Sequence, residues 1–192
     1  MTWENTTAIL LAGGIARRMG RDKRFMEMDG EALIRSKVKQ LEAQFSHVII
    51  SANDPEKLQF LNHPVVVDEW PDKGPVGGIA SCLKQVETEW MFVTAVDIPT
   101  LDLHILKAMW EVRNDWDIVI PRESQGYLEP LYAFYNRKVL IDLERAVAAD
   151  ELALHTVISK LNHRVVDLPP GVHIPNLNDP EDYRLYEEST RG

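Results

Sequence analysis

With a single cysteine, Cys82, among its 192 residues, the chain can close no disulfide within itself, and neither a thiolate zinc cluster nor a CxxC redox pair can be assembled. A reducing, cytoplasmic setting is expected. The segment Met1-Thr2-Trp3-Glu4-Asn5 lacks the basic stretch of a secretory leader. The apolar run after it, Ala8 to Ala12, is far shorter than the roughly 18–20 residues of a membrane span, so neither export nor membrane insertion is expected. Histidine is scarce as well. The six present (His47, His63, His104, His155, His163 and His173) show no His-x-x-x-His or His-Glu-x-x-His spacing, which argues against a zinc site. There is no Gly-x-Ser-x-Gly elbow for a serine nucleophile. Positive charge is also short: 21 basic residues face 30 acidic ones, and a net charge of −9 repels a nucleic-acid backbone.

What remains is a chain of ordinary domain size with 45% hydrophobic residues, enough for a core of its own. Thr7-Ala8-Ile9-Leu10-Leu11-Ala12 is an apolar run without alternation, closed by Gly13-Gly14, and reads as a strand buried on both faces. Leu33, Ile34, Val38, Leu41 and Phe45 then recur at helical spacing, with Arg35, Lys37 and Lys39 between them assigned to water. Strands are predicted at 47–51, 64–68, 91–95 and 117–121, with helices at 55–61, 74–86 and 103–112 between them. Past Gln125-Gly126 the rhythm changes to a strand at 131–135, helices at 138–148 and 154–161, and a late strand at 164–168. Alternation of this kind implies a doubly wound, mostly parallel sheet covered on both faces, in one domain spanning 1–192 with room for a small subdomain within 122–170.

In such a sheet ligands bind beyond the carboxyl ends of the strands, which directs attention to four loops. The first follows the glycine pair. Residues 17–24, Arg-Arg-Met-Gly-Arg-Asp-Lys-Arg, carry a local charge of +4 and leave the other 184 residues at −13. This is not a Walker A loop, since Arg21 follows Gly20 and no Ser or Thr stands by to hold magnesium; nor is it a dinucleotide fingerprint, since Gly13 and Gly14 are adjacent. Gly13 and Gly14 let backbone amides approach a phosphate, while Arg18 and Lys23 neutralise an extended triphosphate; the alternative is a tight turn followed by surface cations. Asp97 follows a buried strand and precedes Pro99, where it faces the crevice: beside a triphosphate it would hold Mg²⁺, and otherwise it would cap the next helix. Asp68 has the same kind of position after the third strand. Cys82, among Ile79, Leu83 and Val86, reads as a core residue rather than a nucleophile. Asn176-Leu177-Asn178-Asp179-Pro180 reads either as a cap for the last helix or as two amides presented together to a polar ring.

Taken in order, Leu11-Ala12-Gly13-Gly14, Arg18-Met19-Gly20, Asp22-Lys23, Gly74-Pro75-Val76-Gly77-Gly78, Asp97-x-Pro99 and Asn176-x-Asn178-x-Pro180-Glu181 resemble the molybdenum cofactor guanylyltransferase (MobA) family. The likeness runs from Thr7 to about Tyr186. Its N-terminal part is shared by many nucleotidyltransferases, and the Asn-x-Asn-x-Pro-Glu element narrows it. The resemblance implies a three-layer α/β/α, Rossmann-like nucleotidyltransferase fold. It implies that Leu11, Ala12, Gly13, Gly14, Pro75 and Gly78 contact the nucleotide, with Asn53 and Asp68 at further nucleotide positions. Arg18 and Lys23 would act on the phosphates, Asp97 on Mg²⁺, and Asn176 and Asn178 near the pterin. A Leu-Ala-Gly-Gly start goes with GTP, where related cytidylyl enzymes tend to a Thr-Ala-Ala-Gly-like one. Ser51 is a departure, since members can carry asparagine there. The implied reaction moves GMP from GTP to the terminal phosphate of molybdopterin or Mo-molybdopterin, with pyrophosphate leaving and no covalent enzyme intermediate. An accessory GTP-binding protein and recipient molybdoenzymes are the further partners implied. The rival readings are an enzyme of the same fold using CTP or a sugar-phosphate acceptor, and a carrier that binds GTP or the finished cofactor without catalysis.

Overall fold

A computed structural model describes residues 3, 5–13, 22–28 and 30–190. Its centre is the run anticipated from its unbroken hydrophobicity, β1 (Thr6–Leu11), in which every residue is buried. Side chains alternate across a strand, so Ala8 and Leu10 enter the apolar cluster on one side of the sheet, while Ile9 and Leu11 enter the cluster on the other. Three more strands divide in the same way: β4 (His47–Ser51), β6 (Trp90–Ala95) and β8 (Tyr132–Asn136). A strand apolar on both faces is stable only if both are covered, which fixes three layers.

Five helices supply the cover. Helices α1 (Leu33–Glu42) and α3 (Leu103–Glu111) pack on the first face; α2 (Gly74–Gln85), α4 (Leu140–Ala148) and α5 (Leu154–Ser159) pack on the second. The last helix, α6 (Pro180–Thr190), sends Tyr183 into the first cluster. With β5 (Val65–Val66), β7 (Ile118–Arg122) and β9 (His163–Asp167), the sheet has seven strands in the order β5-β4-β1-β6-β8-β7-β9. All neighbours run parallel except β8, which is antiparallel to both β6 and β7. Segment 122–170 thus feeds β8 and β9 into the main sheet. A separate antiparallel pair, β2 (Glu27–Met28) and β3 (Glu31–Ala32), leads into α1.

Two local expectations change. The third strand shortens to two residues, and segment 55–61 forms two 3-10 turns, ended by Asn62 in a left-handed conformation at φ 56°. The larger correction concerns Lys37, whose charge predicts a place in water but which is 1% exposed. Its place explains why: Lys37 lies four residues from both Leu33 and Leu41, on the apolar stripe of α1, and only its charge suggested the other side.

The chain turns outward from β1 in both directions, toward β4 on one side and β6 on the other. Loops leaving the carboxyl ends of β1 and β6 therefore diverge and open a crevice between them, the place where an α/β sheet takes its ligand.

Candidate active site

That crevice is a cavity of about 550 Å³, within the range of small-molecule sites. The end of β1 contributes Leu11, Ala12 and Gly13; the end of β6 contributes Ala95, Val96 and Asp97; Ser51 closes β4. Asp68 and Asp72 come from the loop after β5, Lys23 and Arg24 from a 3-10 turn, and Leu131 from the lead into β8. Gly74, Pro75 and Gly78 bring in the first turn of α2. That helix begins without a side-chain cap, and Pro75 presets its first turn. Gly78 packs so near β1 and β4 that a Cβ there would lie 3.1 Å from Ser51 Oγ and 3.6 Å from Leu11 Cδ2.

Among the residues expected at the site, Leu11, Ala12, Gly13, Lys23, Asp68, Pro75, Gly78 and Asp97 line this one cavity. Gly14 and Arg18 lie outside the described residues. Asn53 is not in the lining: it is exposed, and its Oδ1 accepts a 3.0 Å hydrogen bond from the Asp68 amide. Asp68 is fixed further by Trp70 N–H, 2.9 Å, and Ser81 Oγ, 3.1 Å, both donating to its Oδ1. Asn176 gives its Nδ2 hydrogens to Glu129 Oε2 at 2.8 Å and to the Ile174 carbonyl at 3.4 Å. Asn178 is exposed. Asp179 caps α6, its Oδ1 accepting from the amides of Glu181 and Asp182, so the capping reading of this segment holds.

The same segment also reaches the cavity. Lys23 Nζ donates to the Leu177 carbonyl at 2.7 Å, and the Leu177 amide donates to the Asp97 carbonyl at 2.7 Å. Burial pushes the Asp97 carboxyl above its ordinary range, and Lys23, its own backbone amide and Lys37 pull it back. Glu129 is raised by burial in the same way, against the hydrogen bond from Asn176. Cys82 is buried in α2, and burial pushes its thiol up to about 12, which removes it as a nucleophile.

Sequence reasoning overlooked the fate of Arg24. Its guanidinium donates to Asp22 at 2.8 and 2.6 Å and takes Asp54 with both terminal nitrogens. One cation of the basic segment is therefore spent inside the fold, and the alternation Asp22-x-Arg24 was the available signal. Asp72 and Glu129 were also missed, since nothing in their local sequence sets them apart from the other acids.

A family model described as MobA-like NTP transferase domain matches residues 8–165. The chain belongs to the MobA-like NTP transferase family. Relatives of this MobA-like chain include a molybdenum cofactor guanylyltransferase from Syntrophotalea carbinolica, 30% identical over 97% of this chain and 92% of that one. A probable molybdenum cofactor guanylyltransferase from Natronomonas pharaonis is 31% identical, covering 97% and 96%. In three dimensions the MobA-like chain superposes on molybdopterin-guanine dinucleotide biosynthesis protein A from Archaeoglobus fulgidus with a TM-score of 0.82, over 96% of this chain and 98% of the other, at 22% identity. A CMP:2-keto-3-deoxy-manno-octonic acid synthetase complexed with CTP superposes with a TM-score of 0.74 at 12% identity, so the fold alone does not choose the base.

Proposed function

We propose that this chain transfers GMP from GTP to the terminal phosphate of molybdopterin, forming molybdopterin guanine dinucleotide and releasing pyrophosphate. A phosphate oxygen of the acceptor attacks the α-phosphorus. The bond from that phosphorus to the bridging oxygen breaks, and pyrophosphate leaves with the electron pair. The observation that carries this reading is the meeting of Lys23 and Asp97 in one cavity, both held by Leu177 of the Asn-Leu-Asn element. The relatives of about 30% identity, aligned over nearly the whole chain, supply the substrates.

The lining carries Asp68, Asp72 and Asp97 against Lys23 and an Arg24 already paired with two carboxylates. Among the described residues the lining thus carries more negative than positive charge, and a divalent cation would offset it beside a triphosphate. Asp97 offers a hard carboxylate oxygen of the kind Mg²⁺ takes alongside substrate phosphates. Held by Asp97, Mg²⁺ would supply positive charge against the charge that develops during transfer. The chain's own part is positional: Lys23 reaches the phosphates, and Gly13 and the α2 turn admit the nucleotide to close range. Arg18 and Gly14 complete the phosphate contacts in this reading, and Asn176 and Asn178 flank the pterin side. Among the described residues no helix is long and apolar enough to cross a membrane, and we place the reaction in the cytoplasm on the strength of the lone cysteine.

The test is pyrophosphate release with Mg²⁺, molybdopterin and molybdate, run in parallel with GTP, CTP and ATP, with the product identified by mass spectrometry. A guanine dinucleotide from GTP alone is expected. Release with CTP would reassign the chain to the cytidylyl enzymes, and tight GTP binding without release would make it a carrier.

A further inference from the structure

Helix α1 carries a charged residue into the interior beside the site. Lys37 is fully enclosed, and among the described residues its ammonium makes one hydrogen bond, to the Thr100 carbonyl at 3.2 Å. Enclosing an ammonium with so few partners is costly, as its fall to about 7 under burial reflects. The structure shows what stands against that cost. The loop after β6 runs from Val96 to Thr100, and three of its carbonyls are taken by other elements. The Leu177 amide donates to Asp97 O at 2.7 Å, Gln40 Nε2 to Pro99 O at 2.8 Å, and Lys37 to Thr100 O. Gln40 and Lys37 lie three residues apart on one face of α1 and grip the loop from behind, while Asp97 stands on its cavity side. Lys37 also attracts the Asp97 carboxylate, adding to the effect of Lys23.

We propose that Lys37 is a positioning residue for nucleotidyl transfer, holding the 97–100 loop from behind so that the Asp97 carboxylate keeps its place for the cation that accompanies the triphosphate. The inference rests on the reading of Asp97 given above. It separates Lys37 from the phosphate-directed Lys23: one cation faces the ligand, the other faces the loop.

Lys37→Met keeps an unbranched side chain one atom shorter and removes both charge and donor, whereas Lys37→Gln keeps a donor for Thr100. Four quantities decide: thermal midpoint, GTP affinity in EDTA, Mn²⁺ affinity of the protein–GTP complex by EPR, and kcat against KM for GTP. Both variants are expected to fold and to bind metal-free GTP as the wild type does. Residues that orient a ligating side chain typically affect metal affinity or activity by about 10–100-fold, so Lys37→Met should lose about 10-fold in Mn²⁺ affinity and in kcat at unchanged KM, with Lys37→Gln between it and the wild type. Wild-type Mn²⁺ affinity and kcat in folded Lys37→Met would overturn the proposal, as would a loss of metal-free GTP binding in step with the midpoint, which marks a purely structural role. If Lys37→Met does not fold, Lys37→Gln decides alone: reduced Mn²⁺ affinity supports the proposal and wild-type affinity overturns it. A wild-type protein that binds Mn²⁺ and GTP but makes no dinucleotide would sink the proposed reaction, while the Mn²⁺ comparison would still report on Lys37.

Discussion

Lys23 and Leu177, 154 positions apart, are joined by a 2.7 Å hydrogen bond from the lysine ammonium to the leucine carbonyl, and Leu177 in turn donates its amide to Asp97. A late segment of the chain thereby ties Lys23 to the backbone of Asp97, the two residues to which the proposed transfer gives roles. Losing one preorganised electrostatic group typically costs about 10²–10³ in turnover, so Lys23→Met and Asp97→Asn should each lower kcat by about 10²-fold. In the proposed reaction both serve the same developing charge. The double variant should therefore fall well short of the product of the two losses. Steady-state pyrophosphate release on the four proteins checks this, and near wild-type rates in either single variant would remove that residue from the role.

How much of this was legible beforehand follows from what each residue answers to. The β1 run announced its double burial, because a strand covered on both faces has no polar alternation to hide behind. Gly13, Lys23, Asp97 and the Gly74–Gly78 turn lie at strand ends and helix starts, so chain order alone placed them on one rim. The antiparallel β8 was not legible, since strand direction is decided by which neighbour a segment meets and not by its own composition. Lys37 was misread for a related reason: charge outweighed periodicity, although its spacing from Leu33 and Leu41 already placed it on the apolar face. Arg24 looked like a free cation because Asp54, its partner 30 residues later, belongs to another loop.

Gly77 and Gly78 make a sharper comparison than either would alone. A Cβ on Gly77 would meet Lys73 Cβ at 3.0 Å, Asp68 Oδ1 at 3.1 Å and the Trp70 carbonyl at 3.2 Å, a wall that is partly backbone. On Gly78 it would press chiefly on Ser51 Oγ at 3.1 Å, a hydroxyl that can turn aside. Alanine in a helix interior gains roughly 0.5–1 kcal/mol over glycine, which offsets the milder clash and not the harder one. Gly77→Ala is thus expected to lose stability and raise KM for GTP by displacing Asp68, while Gly78→Ala stays within about 1 kcal/mol of wild type. Adding Ser51→Ala should relieve Gly78→Ala and leave Gly77→Ala unchanged, as urea unfolding of the four variants would show.

Asn176 gives a test of whether a site amide is also a structural one. It donates to Glu129, whose half-buried carboxylate otherwise has the Leu131 amide at 3.2 Å. Removing a donor from a buried acceptor costs about 1–3 kcal/mol, so Asn176→Ala should lose stability of that order, and Glu129→Gln in the same background should regain part of it. If Asn176 serves the pterin as well, KM for molybdopterin rises in Asn176→Ala while KM for GTP does not. Unchanged KM for both would leave it a purely structural residue.

The Asp22–Arg24–Asp54 cluster predicts how stability responds to acid. Arg24 holds the carboxyls of both Asp54 and Asp22 below the usual range, with Lys57 adding to the effect on Asp54. Their folded values lie below their unfolded ones, so the unfolded chain takes up protons first as the pH drops. The stability they contribute is accordingly complete above the unfolded value of about 4 and drains away as the pH falls through the lowered folded values. Replacing Asp54 by Asn leaves Arg24 paired with Asp22 alone, in a largely buried position. The expected loss at pH 7 is about 1–3 kcal/mol. That deficit should shrink between pH 5 and pH 3, because acid removes from the wild type the same interaction that the substitution removes at once. Urea unfolding of both proteins at pH 7, 5 and 3 measures it, and a deficit that stays constant or widens toward pH 3 would show that Arg24 does not hold Asp54 ionised.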